Sequence, residues 1–312
     1  MSRHHATDMS LWSGAIMTHF LPRLALLSPA LVACLGFLVP SVLLAETSVG
    51  QAAVSAEDQG AVAKLIGTMQ IDDVIDVLRS EGVDYGVSIE DEMFPDAGGA
   101  SWKATVAGIY SAARMKSVFA AKLTEQLAGK TADATKAEAF FASSLGQRVL
   151  MLELEARRAL LDEETEAAAR LAWGDLQAGG GERADLLRRF AEVNDLIESN
   201  VMGALNSNLA FYHGMAGTGA FAGEMDEGEI LSDVWGQEPD IRNQTEEWVY
   251  PYLGLAYSSL TDDELRQYVE FSASPAGQVL NSALFVAFDA VFVPISEALG
   301  AAAALQMNGQ DI

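Results

Sequence analysis

Apolar residues recur at helical spacing along most of the chain from residue 57 onward. In the first stretch they lie three or four positions apart, with an interruption near Gln70, at Leu65, Ile66, Met69, Val74, Ile75 and Leu78. Gly82 is predicted to end this helix, and a second helical pattern runs from Trp102 to Leu127. We find no sustained alternation of apolar and polar residues of the kind that strands show. The pattern predicts an all-α protein.

Glycine divides the rest of the pattern into two parts. A stretch of apolar and charged residues at helical spacing, 147–176, ends at Gly179-Gly-Gly181, and another stripe follows from Leu187 to Leu209. Pro239 and Pro251 are predicted to bracket a helix that carries Trp248. We therefore predict an N-terminal helical half, 57–178, and a C-terminal helical half, 182–306.

The last predicted helix, 279–305, is apolar over most of its surface. Ser282, Asp289 and Ser296 lie seven positions apart, which places them in one narrow polar stripe, and Pro294 is predicted to kink the helix. Such a helix must be covered on nearly all sides. We expect it to be the central helix, packed by both halves and neighboured by the segment from Gln147 onward; the alternative is an interface to a second copy or a partner.

A short motif occurs once in each half. The segment Phe140-Phe-Ala-Ser-Ser-Leu-Gly-Gln147 and the segment Phe271-Ser-Ala-Ser-Pro-Ala-Gly-Gln278 are identical at five of eight positions. Each joins a short segment with a polar cap to a long apolar one. This is the pattern of a helix, a tight corner and a second helix, so the motif predicts an internal repeat of two related helix-corner-helix halves.

The second copy of the motif contains explicit helix signals. Thr261 and Glu264 have the spacing of a capping box, so a helix is predicted to begin at Asp262. It must stop by Ser274, because a residue before proline is disfavoured in a helix. Ser274 then caps the next helix, and Pro275 suits its first turn.

In the first copy Ser143 takes the capping place, and Ser144 stands where the second copy has proline. Gly146 and Gly277 fall at the third position of the new helix, where glycine costs roughly 1 kcal/mol relative to alanine. We interpret both as points of close approach. A ligand-binding glycine loop would need several converging amides, which one glycine does not supply.

The first 45 residues differ from all that follows. A nearly unbroken apolar run from Leu24 to Ala45 follows Arg3 and Arg23, which is typical of an export signal. We predict a signal peptide, 1–45, with Pro40 breaking its helix before the cleavage edge. The alternative is an uncleaved anchor, since the run has the length of a membrane span.

Cys34 adds a second alternative for the leader. Leu31-Val-Ala-Cys34 matches a bacterial lipobox, in which the cysteine is lipidated, although the residues that follow it are apolar. Contact with a membrane is thus expected only through an uncleaved leader or a lipidated Cys34. Since Cys34 is the one cysteine of the chain, cleavage after it would exclude disulfides and cysteine catalysis.

The charge balance restricts the partners. The chain carries a net charge of −25, and a mature chain without residues 1–45 would carry about −26. An acidic surface cannot replace the counterions of a phosphate backbone, so nucleic acid is excluded as an expected partner. An anionic membrane surface is disfavoured for the same reason.

Few residues offer catalytic chemistry. His213 would be the sole histidine of a mature chain, and it lies in a glycine-rich break where we expect a helix to have ended. Two acidic clusters, Glu90-Asp-Glu92 with Asp96 and the group from Glu224 to Glu229, lack the spacing of a calcium-binding EF-hand loop. We interpret them as solvated faces, with weak cation binding as the alternative, and predict no catalytic, cofactor-binding or metal-binding residues and no cofactor.

The motif around the second corner resembles a known family. Leu260-Thr-Asp-Asp-Glu-Leu265 followed by the segment 271–278, behind an export signal, is similar to domain of unknown function 2059, a family of exported all-helical proteins of Gram-negative bacteria. The resemblance covers residues 248–292, with a weaker copy near 140. It implies a helical fold and a periplasmic or secreted location, and it transfers no catalytic residue.

Two classes of function follow. The preferred one is a non-enzymatic exported binding or scaffold module, whose partner is an unknown protein or envelope component. The alternative is a hydrolase or lyase that uses carboxylates alone. A buried acidic pair in a concave pocket would favour the second.

Overall fold

The computed structural model describes residues 54–95, 97–219 and 226–309. The predicted signal peptide and Cys34 lie outside these ranges, as do Asp96 and Glu224. Within them the chain forms thirteen helices: α1 (Ala56–Thr68), α2 (Ile71–Met93), α3 (Gly99–Ile109), α4 (Ala112–Gln126), α5 (Thr131–Phe141), α6 (Ser144–Ala159), α7 (Glu163–Gly179), α8 (Glu182–Val193), α9 (Leu196–Gly217), α10 (Glu227–Gly236), α11 (Glu238–Ala256), α12 (Asp262–Ala273) and α13 (Pro275–Met307).

The described part of the chain contains helices and no strand, so the all-α prediction is confirmed. Short polar side chains cap several helices where the sequence changes from loop to apolar stripe. Ser55, Asp162 and Asp226 each accept a hydrogen bond from the backbone amide three residues later. The long apolar C-terminal helix is present as α13.

Several predicted helix boundaries are wrong. Gly82 lies inside α2, where an added Cβ would be 2.1 Å from Cε1 of Tyr110, so this glycine admits a neighbouring ring and does not end the helix. The second predicted helix, from Trp102 to Leu127, is two helices that are separated near Ser111. The stretch 147–176 is likewise two helices, separated at residues 160–162. Helix α11 continues through Pro251 to Ala256.

The stripe from Leu187 to Leu209 is also two helices. Asp195, between α8 and α9, has a φ of 49°, and Gln70, between α1 and α2, has a φ of 54°. These are the non-glycine residues with positive φ among those that the structure describes. At Asp195 a single left-handed residue redirects the chain while the apolar spacing on either side stays helical, so periodicity alone misses this corner.

Helix α13 is the central helix, as expected. It packs against α9 and α12 of the C-terminal half and against α2, α3, α4 and α5 of the N-terminal half. It is long and apolar enough to cross a membrane, with a mean hydropathy of 1.8 over its most apolar window, but 61% of that window is buried within the protein. Most of this apolar window is therefore packed as in the core helix of a protein.

Three details of α13 differ from the prediction. The segment from Gln147, which forms α6, packs chiefly against α5 and α11 and is not a main neighbour of α13. The helix is continuous across Pro294, whose ring lies on the exposed side, where water can satisfy the freed carbonyl group. Ser296 is buried and does not belong to an exposed polar stripe.

Glycines set the contact between α9 and α13. An added Cβ at Gly214 would lie 2.0 Å from the carbonyl oxygen of Glu297, and one at Gly300 would lie 2.1 Å from that of Phe211. The two backbones therefore approach each other more closely than any side chain would allow.

Candidate functional site

The second corner has the local structure that its sequence predicts. The hydroxyl of Thr261 accepts from the amide of Glu264 at 3.2 Å, and the Glu264 carboxylate accepts from the amide of Thr261 at 2.8 Å. Ser274 accepts from the amide of Gly277 at 3.1 Å, and Pro275 occupies the first turn of α13. The N-termini of α12 and of α13 are thus both capped by a side chain.

The first corner has the same cap, because Ser143 accepts from the amide of Gly146 at 3.0 Å. An added Cβ at Gly146 would lie 2.2 Å from the carbonyl oxygen of Phe140, and one at Gly277 would lie 2.2 Å from that of Phe271. Each glycine therefore lets the new helix approach the last turn of the helix before it.

Gln147 and Gln278 make equivalent hydrogen bonds. Gln147 donates to the carbonyl oxygens of Phe141, at 2.8 Å, and Thr68, at 3.0 Å. Gln278 donates in the same way to Ser272, at 2.8 Å, and Val193, at 2.7 Å. Each glutamine thus ties its corner to the last residue of α1 or α8, where carbonyl groups lack partners within the helix.

The structure brings Phe140 and Phe271 together. Their rings stack with centroids 3.9 Å apart and planes 1° apart, so the two copies of the motif meet at their first residue. Phe141 of the first copy also contacts Phe271, edge to face with centroids 5.5 Å apart. The motif is thus a structural junction between the two halves.

The chemically most unusual cluster lies in the interior, beside these corners. Glu153 of α6 is 2% exposed, and its Oε1 accepts hydrogen bonds from the hydroxyl groups of Tyr257, at 2.6 Å, and Tyr268, at 3.1 Å. Tyr252 donates to the backbone carbonyl of Glu153 at 3.2 Å. These four residues are referred to below as the Glu153 network.

Burial and charge act together on the phenols of this network. Desolvation raises the pKa of Tyr257 and of Tyr268 well above the usual value for tyrosine, and the neighbouring Glu153 carboxylate raises both further. Both hydroxyl groups therefore keep their protons at neutral pH. They act as hydrogen-bond donors and do not serve as bases.

One helical turn along α6, Arg157 forms a second buried polar contact. Its guanidinium donates to both carboxylate oxygens of Glu81, at 2.8 and 2.6 Å, and its side chain is 3% exposed. It also lies over the ring of Trp248, 5.7 Å from the centroid. This two-point contact fixes α6 against α2 and α11.

The candidates singled out from the sequence lie elsewhere. His213 is inside α9, not beyond its end, and its Nε2 lies 3.1 Å from a carboxylate oxygen of Glu227. Glu90 is buried and accepts from the amides of Gly98 and Gly99, so it caps α3. Within the described ranges no group of three or more His, Cys, Asp or Glu residues is placed to hold a metal ion.

A small cavity adjoins the second corner. The centre of a water-sized sphere can occupy a volume of about 10 Å³ in this cavity. This volume is near the lower limit for holding one water molecule. Its lining is Phe141, Asn194, Tyr268, Phe271, Ser272, Gly277, Leu280 and Asn281. Tyr268 is shared with the Glu153 network, but the cavity is too small for an organic substrate.

Sequence reasoning missed the Glu153 network, although α6 contains a signal for it. Glu153 and Arg157 continue the helical spacing of the buried residues Val149, Leu150 and Ala156. A charged residue at a core position must be paired, and this requirement identifies both residues as candidates. Which residues pair with them depends on the packing of α6 against α2, α11 and α12.

No protein-family model, curated protein or solved structure compared with the chain matches it.

Proposed function

We propose that this protein is an exported, non-enzymatic helical protein that binds or scaffolds another protein or an envelope component in the periplasm or outside the cell. Its leader supplies the export signal, with a membrane anchor or a lipidated Cys34 as the alternatives. The resemblance to domain of unknown function 2059 supports the same compartment. We further propose that the helical body is an internal repeat.

One observation carries the non-enzymatic part of the proposal. Glu153, the least exposed acidic residue of the described ranges, directs its carboxylate at tyrosine hydroxyl groups of its own chain. The Arg157 guanidinium is likewise bound to Glu81 at two points. Side chains engaged in this way hold helices together, which is the property expected of a scaffold.

The alternative, a carboxylate-dependent hydrolase or lyase, would place its chemistry on Glu153, since buried carboxylates are common at active sites. The isosteric change Glu153→Gln separates the two functions. In a scaffold it alters stability and leaves the capture of a partner intact, because Gln can still accept from both tyrosines. In an enzyme it abolishes turnover while the fold persists.

Export is tested with a fusion of residues 1–60 to a reporter that is active only outside the cytoplasm. We expect activity that is released when the outer membrane is disrupted, because cleavage frees the reporter from the leader. A matched fusion of residues 46–60 lacks the apolar run and should be inactive. Retention of the uncleaved fusion in the inner-membrane fraction would refute cleavage and favour the anchor.

Binding is tested by using the mature protein to capture partners from a periplasmic extract. The folded protein should retain a partner that the core variant Phe288→Asp, which we expect to be unfolded, does not retain. Identical capture by both proteins would contradict a specific scaffold.

A further inference from the structure

Three buried polar side chains line the cavity at the second corner. They are Asn194, which ends α8, Ser272, in the last turn of α12, and Asn281, in the second turn of α13. These residues are 3%, 4% and 5% exposed, respectively. Tyr268 also lines the cavity, but its hydroxyl group is bound to Glu153. The cavity therefore lies where three helices meet, with one buried polar side chain from each.

The hydrogen bonds of these side chains leave two polar atoms over. Asn194 donates from Nδ2 to the carbonyl oxygen of Phe190 at 2.9 Å, and its Oδ1 accepts from Nδ2 of Asn281 at 2.9 Å. Among the described residues, no hydrogen bond involves the hydroxyl group of Ser272 or Oδ1 of Asn281. Both atoms require a partner, because a buried polar group that lacks one destabilises the folded state.

The first corner has apolar residues at the same two places. Phe141 stands at the position of Ser272 in the motif, and Leu150, three residues after the motif, stands at the position of Asn281. Both Phe141 and Leu150 are buried. Apolar side chains can therefore fill these positions of a corner, so the corner itself does not require the polar pair.

The third polar residue differs from the first corner in the same way. Asn194 directly precedes Asp195, and Met69 directly precedes Gln70, the two residues with a left-handed backbone. Met69 is buried as well. The second corner thus has a polar side chain at each of three buried positions where the first corner has an apolar one. Because an isolated polar group is unfavourable in a core, three together indicate a shared polar partner.

The size and charge of the cavity restrict that partner. Its volume of about 10 Å³ for the centre of a water-sized sphere suits one water molecule and nothing larger. The lining contains no charged side chain, and an ion buried without an opposite charge is strongly unfavourable. A water molecule donates and accepts hydrogen bonds at once, which matches a hydroxyl group beside an amide oxygen.

We propose that the cavity is a binding site for one water molecule, which joins α12 to α13 across the second corner. The water accepts a hydrogen bond from the Ser272 hydroxyl group and donates one to Oδ1 of Asn281. Asn194 holds the Asn281 amide in the orientation that leaves this oxygen available. A water bound in this way is part of the structure. The site goes beyond the proposed function, since it depends neither on export nor on a binding partner.

A high-resolution crystal structure of the protein tests the site directly. We expect an ordered water about 3 Å from the Ser272 hydroxyl oxygen and about 3 Å from Oδ1 of Asn281. A Ser272 hydroxyl group that donates to a carbonyl oxygen of its own helix, with no water in the cavity, would overturn the proposal.

Oxygen-17 relaxation dispersion tests the site in solution, because it counts water molecules that stay bound for longer than the protein takes to tumble. Ser272→Val removes the hydroxyl group and fills its surroundings with two methyl groups, so this variant should hold one long-lived water fewer than the wild type. Ser144→Val, at an exposed position of the first corner, is the matched control and should keep the wild-type number.

Equal numbers of long-lived waters in the wild type and in Ser272→Val would show that no water depends on this site, which overturns the proposal. Circular dichroism establishes whether each variant is folded. If Ser272→Val does not fold, the crystal structure of the wild type decides alone.

Discussion

At the scale of single residues, Gly277 and Gly146 show how a common residue can be indispensable at one place. Both lie at the third position of a helix, where glycine is costly, yet a Cβ there would meet a backbone carbonyl oxygen at 2.2 Å. The carbonyl group cannot rotate away as a side chain can. The cost of glycine is thus offset by the tight corner it permits.

Substituting Gly277 should therefore destabilise the protein. We expect Gly277→Ala to lower the free energy of unfolding by about 1–3 kcal/mol through overpacking, and Gly277→Leu to lower it at least as much. Urea denaturation followed by circular dichroism measures the change.

Gly174, in α7, is the matched control, because nothing lies within 4 Å of an added Cβ there. Gly174→Ala should raise the free energy of unfolding by up to about 1 kcal/mol through helix propensity alone. Equal effects of the two alanine substitutions would show that the corner tolerates a side chain.

At the scale of elements, α13 illustrates what hydrophobicity can establish. Its apolar composition requires cover on nearly all sides, and six helices supply that cover. The alternative of an interface was also compatible with its sequence, since an apolar residue has the same pattern whether its own chain or a partner buries it. Phe288, which is 1% exposed against Phe119 and Phe292, is buried by its own chain.

Replacing Phe288 by Asp should abolish folding, because an unpaired charge in the core costs several kcal/mol. Circular dichroism and light scattering of the purified variant measure folding and association. Ala298→Asp, on the exposed side of the same helix, is the control and should remain folded. If Phe288→Asp stayed folded and changed only its oligomeric state, α13 would be an interface helix.

At the scale of the whole molecule, the contacts between helices α1–α7 and helices α8–α13 make the two halves one folding unit. Helix α13 fills the core of the N-terminal half, and α6 fills part of the core of the C-terminal half. Neither half keeps its buried surface once the other unfolds. A division into independent domains at Gly179–Gly181 is therefore not expected, although the sequence has its clearest break there.

We expect a single cooperative unfolding transition as a consequence. The fluorescence of Trp102, in α3, reports on the N-terminal half, and that of Trp248, in α11, reports on the C-terminal half. Variants that keep only one of these tryptophans should show the same urea midpoint, equal to the midpoint by circular dichroism. Two separate midpoints would mean that the halves fold independently.

The sequence by itself determined the helical class, the long apolar C-terminal helix and the local chemistry of the segment 261–278. These features depend on spacing and on contacts within a few residues, such as the bond between Ser274 and Gly277. The position where the chain reverses between α8 and α9 was harder to predict, because Asp195 turns the chain through one backbone angle without interrupting the apolar pattern.

Only the tertiary structure decided what the charged residues of α6 do. Glu153 meets Tyr257 and Tyr268 across more than a hundred residues of chain, and Arg157 meets Glu81 on another helix. The sequence requires that such charges find partners, because a buried charge without one is unstable. It does not state which partners, since that choice depends on how α6 packs against α2, α11 and α12.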